Sequence, residues 1–97
     1  MSLSLRAQRV ATLSKKMQIA GDPTRLKILC YLFTHRRACV SEIAEVLDMH
    51  IAAVSHHLQA LAHGGLLISD REGKRICYVP APTELMVDLK KFICKYN

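Results

Sequence analysis

The chain has 97 residues, of which 51% are hydrophobic and 23% are charged, and its formal net charge is +6. This length excludes a two-domain enzyme and a large sheet, and the composition is that of a globular domain rather than a disordered basic tail. We therefore predict a single domain over residues 1–97. Because so short a chain buries only a modest part of its surface, dimerisation would add to its buried area.

The longest uninterrupted apolar run is Ile28–Phe33, with six residues, whereas a bilayer-spanning helix needs roughly 20. The first 20 residues also lack the apolar block and cleavage site of a secretory signal. We therefore expect a cytoplasmic protein with no membrane partner. In that compartment Cys30, Cys39, Cys77 and Cys94 would be mostly thiols.

The charge is unevenly distributed. Residues 1–37 hold eight basic and one acidic side chain, residues 38–70 hold none and four, and residues 71–97 hold six and three. A basic chain can bind a polyanion, but its charges can equally well be solvated at the surface. The net charge alone therefore does not decide whether the protein binds nucleic acid.

Two amphipathic helices are predicted at the start of the chain. Helical spacing of apolar residues predicts the first over Ser4–Ile19, ended by Gly21. Asp22 is a good N-cap and Pro23 suits the first helical position, so a second helix begins there. The apolar positions are Val10, Leu13, Met17 and Ala20 in the first helix and Leu26, Leu29, Cys30 and Phe33 in the second.

Two further helices are predicted around a tight turn at 48–50. Ser41 can cap a short third helix, with Glu42 near its positive end. The fourth helix runs over Ile51–His63 and is ended by Gly64 and the glycine after it. The inward positions are Ile43, Ala44, Val46 and Leu47 in the third helix and Ile51, Val54, Leu58 and Leu61 in the fourth.

A β-hairpin and a last helix complete the pattern. Leu66–Ser69 and Arg75–Val79 flank a polar turn at 70–74, and Thr83 opens the last helix. One side of that helix carries Leu85, Leu89, Phe92, Ile93 and Tyr96. The element order predicts a mainly α fold with a β-hairpin wing, which is a winged helix-turn-helix.

Four segments occur here in a specific order: DPTRLKIL at 22–29, VSHHLQAL at 54–61, GLL at 65–67 and REGK at 71–74, followed by Tyr78. Together, over about residues 10–94, they resemble the ArsR/SmtB-type small repressors. The resemblance implies a homodimer built on the first and last helices. It also implies a repressor that presents two recognition helices to a palindromic double-stranded DNA operator and releases it when an inducer binds or modifies the protein.

By the same resemblance, base-edge contacts fall to Ser55 and His56, with Gln59 near the DNA backbone. Small apolar side chains can also touch thymine methyls, so Ala52 remains a candidate for base readout. Because residues 38–70 lack Lys and Arg, phosphate contacts must come from elsewhere. The candidates are Arg71, Lys74 and Arg75 on the wing, and then Arg36 and Arg37. The four histidines of the motif predict tighter DNA binding near pH 6 than near pH 8.

The metal-sensing patterns of the family are incomplete. The arsenic type needs Cys-x-Cys at the third helix, where the chain has Cys39-Val40-Ser41, and the zinc type needs a histidine on the last helix, where the chain has none. A nonstandard site for zinc or another thiophilic metal, using Cys39 with Cys30 or Cys94, is an alternative. No other cofactor is predicted.

Thiol chemistry is the leading interpretation of the inducer. Cys30 on the second helix and Cys94 near the end of the last helix are similar to the pair of the family's redox- and reactive-sulfur-responsive branch. Cys94 adjoins Lys95 and is predicted to be exposed, which favours thiolate. Cys30 shares an apolar face and fits a small buried hydrophobe equally well.

Three hypotheses follow: a dimeric repressor sensing through Cys30 and Cys94, a metal-responsive repressor using Cys39, and a winged-helix protein-interaction module without DNA binding. An enzyme is not predicted, because the chain has no Cys-x-x-Cys motif and no phosphate-binding glycine loop.

Overall fold

The computed structural model describes residues 3–96, so residues 1, 2 and 97 of the predicted domain lie outside the description. The elements are α1 (Leu3–Ala20), α2 (Pro23–His35), β1 (Ala38–Cys39), α3 (Val40–Leu47), α4 (Ile51–His63), β2 (Leu67–Glu72), β3 (Arg75–Pro80) and α5 (Glu84–Tyr96). Their order confirms the predicted mainly helical fold with a β-hairpin wing. Among the described helices, none has the length and apolarity that a membrane span requires.

The predicted helix starts at α2 and α5 are made by side-chain caps. Asp22 Oδ2 accepts a 3.1 Å hydrogen bond from the Arg25 backbone N–H, and proline occupies the first turn of α2. Thr83 Oγ1 accepts from the Met86 backbone N–H at 3.3 Å at the start of α5. Each cap satisfies a backbone donor that a helix start leaves unpaired.

The start of α3 differs from the prediction. The N-cap is Cys39 rather than Ser41, because Cys39 also belongs to β1, whose pairing with β3 sets where the helix begins. Glu42 Oε1 accepts a 3.4 Å bond from the Cys39 backbone N–H. Val46, predicted to point inward, is 55% exposed.

The three strands form one antiparallel sheet in the order β1-β3-β2. The sequence did not predict β1, which has only two residues. The hairpin turn is shorter than the predicted segment 70–74, because Glu72 and Arg75 still pair and only two residues connect them. Gly73 has φ +60°, which a glycine adopts without steric cost in such a tight turn.

The buried side chains form one hydrophobic cluster to which α2, α3, α4, the sheet and α5 contribute. Leu26 and Ile51, which belong to the apolar faces predicted for α2 and α4, are exposed instead, and so are Phe92 and Tyr96. Phe92 and Tyr96 lie on α5, and α1 also carries exposed apolar side chains. We refer to Val10, Leu13, Met17, Phe92 and Tyr96 as the α1/α5 apolar surface; these residues are between 43% and 69% exposed.

Candidate nucleic-acid interface and thiol pair

The recognition face lies on α4. Val54, Leu58 and Leu61 are fully buried, which turns the opposite side of the helix toward solvent. The predicted base-contacting residues therefore share one accessible face; Ala52, His56 and Gln59 are exposed and Ser55 is half-buried. Gln59 Nε2 donates a 3.1 Å hydrogen bond to Ser55 Oγ.

Two contacts orient α4 against the rest of the motif. Asp48 ends α3 in the left-handed conformation with φ +53°, and its backbone N–H bonds back to the last turn of α3. Arg25 Nε of α2 donates a 3.1 Å hydrogen bond to His57 Nδ1. His57 is half-buried and lies at the edge of the core.

The wing carries exposed cations near its tip. Arg71, Lys74 and Arg75 are all exposed. Arg37, a predicted phosphate ligand, is already paired: its Nε lies 2.7 Å from an Asp70 oxygen and its Nη2 lies 3.1 Å from a Glu72 oxygen. These two carboxylates raise the pKa of Arg37, and the arginine braces the wing strand instead of remaining available to DNA.

Cys39 and Cys77 differ from the expectation that the cysteines are thiols. They are directly opposite each other in the β1–β3 register, and a disulfide joins them. Both residues are buried. The sequence could not predict this pairing, because β1 is too short to produce a strand signal.

The residues present do not fit a resident metal. A disulfide sulfur is not the thiolate that metals bind, so Cys39 does not have the form that the predicted metal site needs. Within residues 3–96, the structure also brings together no group of three or more His, Cys, Asp or Glu side chains that could hold a metal ion.

Cys30 and Cys94 retain their thiols. Cys30 is half-buried on α2, and Cys94 is exposed near the end of α5, as predicted. Burial raises the pKa of the Cys30 thiol, and negative charge on the nearby Cys94 raises this pKa further. The fold thus places the two predicted sensor cysteines on helices that pack against each other, although the whole winged motif separates them in sequence.

The residue after Cys30 connects α2 to α3. The Tyr31 hydroxyl donates a 2.7 Å hydrogen bond to Glu42 Oε2, and the Tyr31 ring stacks on His35 with centroids 4.1 Å apart. Tyr31 was not predicted from the sequence, where its only signal is a hydroxyl within the apolar run Ile28–Phe33. Cys30 is therefore adjacent in sequence to Tyr31, whose hydrogen bond connects α2 to α3 of the helix-turn-helix.

Comparison with known proteins gives consistent matches. A family model described as "bacterial regulatory protein, arsR family" matches residues 22–69. The chain is 38% identical over 61 residues to the cadmium resistance transcriptional regulatory protein CadC of Listeria innocua, covering 63% of this chain but only 51% of CadC. The chain thus spans about half the length of that relative. It is 30% identical over 95 residues to the HTH-type transcriptional regulator YgaV of Escherichia coli, covering 95% of this chain and 93% of YgaV.

Among solved structures, the fold is similar to the solution NMR structure of Mb0332 from Mycobacterium bovis, a homodimeric winged helix-turn-helix DNA-binding domain. The TM-score is 0.82 at 25% identity, and the superposition covers 99% of this chain and 87% of that one. These matches confirm the predicted winged helix-turn-helix fold. CadC and YgaV are transcriptional regulators, which confirms the prediction that the chain is not an enzyme.

Proposed function

Because the chain belongs to the arsR family of bacterial regulatory proteins, we propose that it is a dimeric, cytoplasmic DNA-binding repressor that leaves its palindromic operator when Cys30 and Cys94 are modified. DNA binding is supported by the exposed polar face of α4 and by the cations of the wing. In a winged helix-turn-helix, the second helix of the motif enters the major groove. Phosphate contacts then supply most of the affinity.

Dimerisation through α1 and α5 is supported by the α1/α5 apolar surface. Five large apolar side chains exposed on two neighbouring terminal helices form more apolar surface than a monomer needs. Mb0332, whose fold is similar, is a homodimer. A two-fold dimer matches a palindromic site, because each protomer then faces one half-site.

The packing of α5 against α2, the helices that carry Cys94 and Cys30, is the observation that supports the thiol mechanism. With a peroxide as oxidant, the exposed Cys94 thiolate attacks one peroxide oxygen and forms a sulfenic acid, with water as the leaving group. The Cys30 thiolate then attacks the Cys94 sulfur, a disulfide forms and a second water leaves. With a polysulfide as donor, the Cys94 thiolate attacks a sulfane sulfur, an S–S bond of the polysulfide breaks and the shortened polysulfide leaves, so that Cys94 carries a persulfide. Attack by the Cys30 thiolate on the inner sulfur of that persulfide then forms the disulfide and releases hydrogen sulfide.

A bond between Cys30 and Cys94 would act on α4 through α2. The helix that holds Cys30 also holds Tyr31, which is bonded to α3, and Arg25, which is bonded to α4. Pulling α2 toward the end of α5 would therefore change the position of both helices of the DNA-binding motif. In a dimer, a small change of this kind alters the spacing of the two recognition helices, which must match the half-site spacing.

The test begins with a DNA probe obtained from the protein itself, with Cys30 and Cys94 as thiols. Duplexes of about 30 base pairs are selected from a random pool, and affinity for the enriched duplex is measured by fluorescence anisotropy before and after peroxide or polysulfide treatment. We expect treatment to lower the DNA affinity of the wild type by roughly 5- to 150-fold, which corresponds to a coupling free energy of about 1–3 kcal/mol. Cys30→Ser and Cys94→Ser should keep their affinity.

The matched control is the double variant Cys39→Ser with Cys77→Ser, which removes the other two cysteines and should still respond. If Cys30→Ser and Cys94→Ser respond as the wild type does, the thiol mechanism is wrong. If no duplex is enriched by the protein with Cys30 and Cys94 as thiols, the proposed DNA binding is wrong and the protein-interaction module becomes the better hypothesis.

A further inference from the structure

We propose that the cleft between α1 and α4 is a second DNA-phosphate site, in which Lys15 and Lys16 contact the backbone beside the recognition helix. The inference rests on the proposed DNA binding. It assigns phosphate contacts to a helix for which the sequence predicts only a role in dimerisation.

The cleft has a volume of about 730 Å³. Its α1 wall includes Thr12, Lys15 and Lys16, and its α4 wall includes His56, Gln59 and His63. Two of the three α4 residues belong to the predicted recognition face, so the lysines of α1 lie along its flank. Within the described chain, the residues that line this cleft include no Asp or Glu.

Close packing holds Lys16 in this position. A Cβ atom at Gly64 would lie only 2.7 Å from Ile19 Cδ1, so the glycine that ends α4 lets α1 approach closely. The Lys16 Nζ lies 3.6 Å from the position that a Cβ would occupy at Gly65. The ammonium group of Lys16 is therefore near the carbonyl end of α4, where the helix dipole favours a cation.

The charge distribution indicates that the cleft binds DNA phosphates. The major groove is about 12 Å wide, so a helix that lies in it has a phosphate backbone on each side. Residues 38–70, which include all of α4, carry no Lys or Arg, so the helix cannot neutralise these phosphates itself. Arg37 already forms ion pairs with Asp70 and Glu72. The paired lysines of α1 supply cations on the flank of α4 that faces this cleft.

The test compares Lys15→Gln with Lys16→Gln against Lys90→Gln with Lys91→Gln. The second pair is also a Lys-Lys dipeptide, but it lies on α5, so both double variants remove the same charge. The probe is a duplex of arbitrary sequence, because phosphate contacts do not depend on sequence. Its affinity is measured between about 50 and 200 mM KCl, and circular dichroism checks that each variant is folded.

We expect the α1 variant to bind more weakly and to show a smaller slope of log affinity against log salt, by about 0.9 for each phosphate that is no longer neutralised. Lys15→Arg with Lys16→Arg should restore the wild-type slope, because arginine keeps the charge. The α5 variant should bind nearly as well as the wild type and keep its slope.

Equal slopes for the α1 variant and the wild type would overturn the inference while leaving the proposed DNA binding intact. A separate calorimetric titration with tripolyphosphate distinguishes a free anion from a DNA phosphate. If the α1 variant no longer binds tripolyphosphate but keeps the wild-type DNA slope, the cleft is a small-anion site and the inference is wrong. If the wild type binds no duplex at all, it is the proposed function that fails.

Discussion

Tyr31 and Glu42 join α2 to α3 through a 2.7 Å hydrogen bond in which the phenol donates to the carboxylate. The bond lowers the pKa of the Glu42 carboxyl and raises the pKa of the Tyr31 phenol. The Cys39 backbone N–H, which donates to the other carboxylate oxygen, lowers the pKa of Glu42 further. Glu42 therefore stabilises the fold as an anion, at the point where α3 begins.

The first prediction follows from the direction of that shift. Because the pKa of Glu42 is lower in the folded protein than in the unfolded chain, its stabilisation is present above the unfolded pKa and is lost as pH falls through the folded pKa. Tyr31→Phe should lower the free energy of unfolding by about 1 kcal/mol near pH 7 and by less near pH 3. Urea denaturation at the two pH values measures this.

Tyr96→Phe is the control for Tyr31→Phe, because Tyr96 is 69% exposed, and removal of its hydroxyl should change the stability little at either pH. A destabilisation by Tyr31→Phe that is the same at both pH values would show that the charge of Glu42 is not involved.

The second prediction concerns which histidines make DNA binding depend on pH. Since arginine can only donate, His57 Nδ1 accepts the bond from Arg25. This contact holds His57 against α2, so we do not expect it to contact DNA. His56 and His63 are exposed on α4 and should produce the tighter binding expected near pH 6.

The measurement is the ratio of affinities at about pH 6 and pH 8 for the selected duplex. His56→Gln with His63→Gln should bring the ratio close to one, whereas His50→Gln, which changes another exposed histidine of the motif, should leave most of it. An unchanged ratio in the double variant would contradict the assignment.

The sequence predicts best what local signals determine. The limits of α4 and the caps at Asp22 and Thr83 are found as predicted, because hydrophobic spacing and capping act over a few residues. The inward orientation of Ile51 was wrongly predicted, because helical periodicity identifies an apolar face without showing whether anything in the same chain covers it.

The parts of the candidate site that the sequence missed depend on contacts between distant segments. The Cys39–Cys77 disulfide requires the β1–β3 register, and the pairing of Arg37 with the wing joins residues 33 positions apart. The approach of Lys16 to the end of α4 depends on how α1 packs. None of these contacts has a local sequence pattern that predicts it.

The third prediction distinguishes the exposed cations of the wing from Arg37, which is paired with two carboxylates of the wing. Arg71→Ala with Lys74→Ala should weaken DNA binding and reduce the salt slope by about 0.9 for each phosphate that these side chains neutralise, measured by anisotropy across a salt series. Arg37→Ala should leave the slope unchanged, because Arg37 is bound to Asp70 and Glu72. A slope that falls for Arg37→Ala and not for the double variant would reverse the two assignments.

The fourth prediction tests the disulfide. Cys39 and Cys77 are 38 residues apart, and closing a loop of that length stabilises a fold by about 3 to 4 kcal/mol in the chain-entropy description. A phosphine reductant should therefore lower the urea midpoint of the wild type but not that of Cys39→Ser with Cys77→Ser. Alkylation in denaturant without reductant should label Cys30 and Cys94 only. Labelling of all four cysteines would contradict the pairing.

The last prediction concerns the α1/α5 apolar surface. Val10 and Met17 are 65% and 60% exposed on α1, and a charge placed there would have to be desolvated in a dimer interface. Val10→Glu with Met17→Glu should convert a dimer into a folded monomer, as measured by sedimentation equilibrium together with circular dichroism. Val46→Glu is the control, because Val46 is a 55% exposed apolar residue on α3, and that variant should remain dimeric. If the α1 variant also stays dimeric, the protomers associate through another surface.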